Sequence, residues 1–354
     1  MLVTIFLRGG ADTLNLLVPH GDDAYHRARP TLAIAAPHRL DAFWGLHPAL
    51  GPLVPFWDNG TLAFVHGVGC DDTSGSHFVA QAQVEHGAAM GETLGGGWLG
   101  RWLRARGLDG PLPAIAVGER VQTALAGAPR VAAMRRLDDL VLGAGANPDA
   151  LARWYATDPL FAAPAKAAFE LLARVERVRA VPSTGDYPEG RFGDALREVA
   201  RLGRAGVGLE VACVDYDAWD THFVQAPLLE VAATALAKGI AALVDELGRA
   251  RVDLTVLVLT EFGRRTWENG SAGTDHGRGY AAMLLGPRVR GGLVHGKYVG
   301  LGEVEGPGPG GLAITVDYRD VLGEALRAAA NPSVTELAAA FPTRPLRELG
   351  VARL

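Results

Sequence analysis

The segment VACVDYDAWDTHF, residues 211–223, passes from an apolar run into three aspartates, a tryptophan and a histidine. An ordinary solvent turn would use Gly, Asn, Pro or Ser, which supply turn dihedrals. Asp220 and His222 are one residue apart, so in an extended segment both side chains point to one side and can grip one cation. Carboxylate oxygen paired with imidazole nitrogen suits zinc, manganese or iron better than calcium, which prefers oxygen alone. Asp275 and His276 repeat the pairing, with Gly273 and Gly277 letting the backbone turn closely around a site.

Two further segments carry the same palette. RGGADTLN supplies Asp12 and Asn15, and GCDDTSGSHF supplies Ser76 and His77. Ser76 precedes a helical pattern, which makes it an N-cap or a hydroxyl placed to meet an anion at a helix N-terminus. Cys70, Thr73 and Ser74 are rival nucleophiles on that loop. TEFGRRTWENGSAGTDHGRG adds Glu261 and Arg264, whose guanidinium could clamp an oxyanion or sit in a solvated turn. Either Glu261 joins Asp12 on a second metal, or it pairs with an arginine, Arg264 being nearest in sequence. His20, His26, His38, His47, His66, His86 and His295 lack such a setting and are read as structural.

The elements that must position these groups are short aliphatic runs at residues 2–7, 62–68, 114–117, 209–214, 254–259 and 281–285. They are continuously apolar, as strands buried on both faces are. Helical patterns at 50–57, 77–86, 228–249 and 318–329 lie between them, and the alternation implies an α/β fold with a parallel sheet covered on both sides. In such sheets ligands bind at the carboxyl ends of the strands. Asp12, Ser76, Asp220, His222, Glu261, Asp275 and His276 all follow strands. Residues 121–204, rich in Ala, Arg and Leu, read as a helical insertion or cap within a single domain spanning 1–354, and 306–311 as a loop. Glu85, Asp109 and the charges of 121–204 lie away from the strand-end loops and are expected to be dispensable for metal binding.

The chain of 354 residues carries a net charge of −5 and two cysteines, Cys70 and Cys213. No basic footprint for nucleic acid follows, nor a disulfide framework or thiolate zinc site. No uninterrupted apolar run reaches the roughly 18 residues that span a bilayer. Met1 leads directly into LVTIFL, so the chain as written is expected to be cytoplasmic, or periplasmic or secreted if a leader has been removed. The composition is silent on oligomeric state.

In the order of its motifs the chain resembles the bacterial family called domain of unknown function 1501, grouped with the alkaline phosphatase and sulfatase superfamily. FLRGGADTLNLLVPHGDDAYHRARPTLAI, SHFVAQ, WDTH, LTEFGRR, GTDHGRGY and VRGGLVHGKYVGL carry the resemblance. It implies a three-layer α/β/α sandwich, alkaline phosphatase-like, with one or two divalent metals, zinc first and manganese, iron or calcium as alternatives. It further implies transfer of phosphoryl or sulfuryl groups from a small anionic ester. By motif position Asp12 resembles a first-strand ligand, Asp220 and His222 a pair on one metal, His276 a further ligand and the Ser76 loop the nucleophile loop. DDTSG after Cys70 departs from the sulfatase maturation motif, so a formylglycine enzyme is not expected. Glu261-Phe262 stands where the superfamily usually has Asp-His. The expected function is a metal-dependent hydrolase or transferase, with Ser76 and His77 at the reaction and Arg264 and Asn15 on the oxyanion. The alternative is a non-catalytic metal- or ligand-binding protein that keeps the fold.

Overall fold

The computed structural model describes residues 1–108, 110, 112–139, 141–143, 145–179, 182–301 and 310–353; Asp109 and positions 306–309 of the expected loop lie outside them. Among the described residues, twelve strands follow in chain order. They are β1 (Leu2–Leu7), β2 (Leu17–Val18), β3 (His38–Arg39), β4 (Gly45–Leu46), β5 (Leu62–Gly69), β6 (Ala114–Val117), β7 (Ala132–Met134), β8 (Val211–Tyr216), β9 (Thr255–Thr260), β10 (Tyr280–Leu285), β11 (Leu293–His295) and β12 (Val316–Asp317). Nine form one sheet in the order β11-β5-β10-β9-β1-β8-β6-β7, with β12 also on β5, and β2, β4 and β3 form a small second sheet.

Side chains of successive strand residues point to opposite faces, and here both faces are apolar. Val3, Ile5 and Leu7 of β1 join one buried cluster with Val256 and Val258 of β9 and Ala212 and Val214 of β8. Leu2 and Phe6 join a second cluster with Leu257, Leu259, Val211 and Cys213. The first is closed by helices Arg191–Arg204 and Gln225–Arg249, through residues such as Leu196, Leu236 and Leu243. The second is closed by Trp98–Arg106 and Tyr318–Ala330, through Trp102, Leu103, Leu322 and Leu326. The result is the expected three-layer sandwich with a mostly parallel sheet. Each large aliphatic side chain so buried contributes ~1.5–3 kcal/mol.

One interior strand runs against the others. β10 pairs antiparallel with both β9 and β5. The connection from β9, residues 261–279, contains no helix, and an antiparallel neighbour needs no crossover over the sheet. It therefore begins and ends at the same sheet edge. Residues 121–204 contribute the edge strand β7 as well as helices Pro148–Tyr155, Ala162–Arg179 and Arg191–Arg204. Helix Gln225–Arg249 is long and apolar enough to cross a membrane by composition; here its Leu229, Leu236, Ile240, Leu243 and Leu247 pack into the core.

Candidate metal centre at the strand ends

β1, β5, β8 and β9 all end at one edge of the sheet, and β10 starts there. The loops that leave this edge are held together by Arg264, whose side chain is fully buried. Its guanidinium donates to the carbonyls of Gly9 and Gly10 after β1, of Trp219 after β8 and of Thr274 in the β9–β10 connection. It also donates to Asp220 Oδ1 at 2.6 Å. Gly9 is required where two of these loops touch: its φ is +118°, and a Cβ there would lie 2.5 Å from the Asp220 amide nitrogen. The expected oxyanion role of Arg264 is thus corrected. A guanidinium spread over four carbonyls in the interior organises the site from behind.

Three imidazoles surround Asp220. His222 Nε2 and His276 Nε2 lie 3.0 and 3.3 Å from Asp220 Oδ1, and 3.0 Å from each other. His77 Nε2 lies 3.5 Å from Asp220 Oδ2 and is buried with no hydrogen-bond partner among the described residues. Each ring is fixed from behind through Nδ1: His77 by Glu261 Oε1 at 2.7 Å, His222 by Asp275 Oδ1 at 3.1 Å and His276 by the Gly75 carbonyl at 2.9 Å.

These supports decide where the protons sit. Burial pushes Glu261 up, but hydrogen bonds from His77, Gln81 and the Gly9 amide outweigh it and hold the carboxyl below its ordinary range. Asp275 is held low chiefly by Asn269, then by His222. Ionised carboxylates and a carbonyl can only accept, so each Nδ1 carries a hydrogen. A neutral ring then presents a bare Nε2 lone pair. Burial also holds His276 below the usual histidine value, favouring its neutral form. At His77 the hydrogen bond to Glu261 acts the other way and raises the value. Three Nε2 atoms and a carboxylate thus converge where protons or a cation can be held. Ligands about 2.0–2.1 Å from a tetrahedral zinc stand about 3.3 Å apart, close to the 3.0–3.3 Å seen among His222, His276 and Asp220. Among the described residues, His77, Asp220 and His276 form a group able to hold a metal, with ligand atoms within 4.8 Å of one another. Asp220 is 48% exposed, so the group opens to solvent.

The family described as protein of unknown function (DUF1501) matches residues 63–309. The chain belongs to that family. None of the curated proteins matches it. Among solved structures, the chain is similar to Ps i-CgsB in complex with k-i-k-neocarrahexaose, at 12% identity and a TM-score of 0.42, covering 96% of this chain and 73% of that one. It is similar to BT1596, a 2-O GAG sulfatase, at 9% identity and 0.39, covering 82% and 64%. A third is the C-terminal periplasmic domain of EcEptC from Escherichia coli in complex with Zn, at 7% and 0.37, covering 80% and 72%.

In this DUF1501 chain the other expected site residues take supporting places. Asp12 is fully buried, accepting from Arg29 at 2.5 Å and from Gln225, and lies outside the histidine group. Asn15 is buried too: its amide donates to the Leu32 carbonyl and its oxygen accepts from Tyr25 and Arg29, which leaves it no oxyanion to hold. Glu261 bonds His77 where a second metal or Arg264 was expected, and Asp275 bonds the back of His222. His77, expected at the reaction, joins the candidate ligands. Glu85 pairs with Arg8, away from the group. Burial pushes the Cys70 thiol up to about 11, which leaves little thiolate at neutral pH.

Ser76 starts helix His77–His86 at the N-cap, yet its hydroxyl makes no capping bond. It lies between Gly75, which touches His276, and His77. Three residues escaped the sequence reading. Arg29 and Gln225 hold Asp12, and Gln81 holds Glu261. Gln81 could have been found, because it stands one turn after His77 on the same helix face.

Proposed function

We propose that the chain is a divalent-metal-dependent hydrolase or transferase for a phosphate or sulfate ester. The observation that carries this reading is the convergence of three Nδ1-anchored imidazoles on Asp220. The donor set fits a metal, zinc first, held by His77, Asp220, His222 and His276, and the orphaned His77 Nε2 is the nitrogen such an ion would satisfy. When bound, the metal would supply charge stabilisation for an ester oxyanion and lower the pKa of a nearby hydroxyl or water.

The chain's own residues contribute the rest. Ser76, with its hydroxyl released from capping, is the nucleophile or orienting group, and the N-terminus of its helix favours the anion. Glu261 and Asp275 hold the Nδ1 hydrogens of His77 and His222 and so turn both Nε2 atoms toward Asp220. Ser76→Ala is expected to lower turnover of nitrophenyl phosphate mono- and diesters or sulfates on the order of 10³-fold or more, with metal content unchanged. Full retention of activity would remove Ser76 from the reaction. Glu261→Gln is expected to weaken zinc affinity ~10–100-fold, as loss of a support to a ligand does. A chelating-dye competition reads this directly, and equal affinities would leave Glu261 a purely structural role.

One observation favours the binding-protein reading. With His222 added to His77, Asp220 and His276 the donors would number four, the usual count of a structural zinc site, and Arg264 and Asn15 are committed to the interior. Metal bound without turnover across the ester panel would select that reading.

A further inference from the structure

Arg264 and Asn15 are spent on the interior, which leaves the oxyanion of the proposed reaction without the partners expected for it. Arg8, Arg29 and Arg265 have partners as well. Arg8 pairs with Glu85 and Asp215, Arg29 with Asp12, and the Arg265 guanidinium lies over the Trp267 ring. Arg278, two residues after His276, differs. Among the described residues its guanidinium makes no hydrogen bond or ion pair, although its Nε is buried. A buried donor without an acceptor costs free energy, and where one persists beside a site it points to a ligand that satisfies it.

The β9–β10 connection fixes Arg278 next to the histidine group. The Gly277 amide donates to the Gly263 carbonyl and the Gly263 amide to the Arg278 carbonyl, at 2.8 and 2.9 Å. Glycine is required at 277, because a Cβ there would lie 2.3 Å from the Arg264 carbonyl carbon. Arg278 lines a cavity with Cys70, Asp72, Gly75, Phe262 and Gly277. Two of these walls are shared with the histidines. Gly75, whose carbonyl accepts from His276 Nδ1, directly precedes Ser76. The Phe262 ring centre is 4.7 Å from that of His276 and 5.0 Å from that of His77. Asp72 is the acidic member of the cavity wall. Its carboxylate accepts from the Ser74 amide and hydroxyl.

We propose that Arg278 is the anion-binding arginine of this site, holding non-bridging oxygens of a phosphate or sulfate ester beside Ser76. The proposal rests on the reading of the histidine group as an ester site. A guanidinium stays charged at every working pH, and its planar fork matches two oxygens of a tetrahedral anion. The N-terminus of helix His77–His86, which begins after Ser76, favours negative charge at the same place. Arg278 thereby takes the role expected of Arg264, which the fold uses to tie its loops together.

The test is calorimetric titration of inorganic phosphate into the unmodified chain, Arg278→Met, Arg278→Lys and Asp72→Asn, each zinc-loaded and metal-free. Arg278→Met is expected to weaken phosphate binding to the zinc-loaded chain ~10–100-fold, the worth of a hydrogen bond to a charged group, with zinc content unchanged. Arg278→Lys should recover only part of the loss, and Asp72→Asn should bind phosphate at least as tightly as the unmodified chain. Equal phosphate affinities in the unmodified chain and Arg278→Met would overturn the proposal and leave the metal reading standing. A loss on Arg278→Met that is as large in the metal-free chain would support Arg278 and count against the metal's share in holding the anion. No phosphate binding by the unmodified zinc-loaded chain would overturn the proposal and the ester reading together. Urea midpoints and phosphate affinities lowered equally by Arg278→Met and Asp72→Asn would make the two a structural pair, which overturns the proposal.

Discussion

Arg264→Met is expected to destabilise the fold by at least ~3 kcal/mol, because it strands buried backbone acceptors and leaves them unpaired. The guanidinium is fully buried and donates to the carbonyls of Gly9, Gly10, Trp219 and Thr274. Those carbonyls belong to three different strand-end loops, so their loss should also loosen the histidine group. Methionine fills similar volume without a donor, which separates the hydrogen bonds from simple packing. Arg264→Lys should recover little, since an ammonium cannot reproduce the planar fork. Urea unfolding of the three forms measures the effect. A loss below ~1 kcal/mol for Arg264→Met would show that the carbonyls find other partners.

The second large effect is expected at His276. Its Nε2 lies 3.0 Å from His222 Nε2 and 3.3 Å from Asp220 Oδ1. His276→Ala removes a proposed ligand, so zinc affinity should fall on the order of 100-fold or more, beyond what loss of a supporting residue does. Asp275→Asn, which meets His222 only on its far side, should cost less than His276→Ala. Titration against a chelating dye ranks the three proteins. The reverse order, or equal affinities, would show that the ring nitrogens do not bind the ion.

Much of this arrangement was legible in the sequence for a physical reason. Strands covered on both faces must be apolar throughout, so 2–7, 62–68, 114–117, 209–214 and 254–259 stood out, and the polar residues just beyond them marked the edge at which the histidine group lies. The direction of β10 was not legible, since an apolar run looks the same either way. Nor was the division of labour among the site residues. Asp220 and Asp275 look alike beside a histidine, yet one lies among the Nε2 atoms and the other holds a ring from behind. That distinction depends on which ring nitrogen faces which oxygen. Arg264 and Asn15 were misassigned for a related reason: their partners' identities depend on burial, and the Gly9 and Gly10 carbonyls lie more than 250 positions from Arg264. Spacing along the chain carries no trace of such contacts.

His77, Asp220, His222 and His276 are proposed to bind a divalent cation. Elemental analysis of the chain purified without chelator, beside an Asp220→Asn/His222→Ala double variant, tests it most directly. The expected result is about one divalent cation per chain, zinc ahead of manganese, iron and calcium, and its loss in the variant. No cation in the unmodified chain after zinc supplementation, or equal content in both proteins, would contradict the claim.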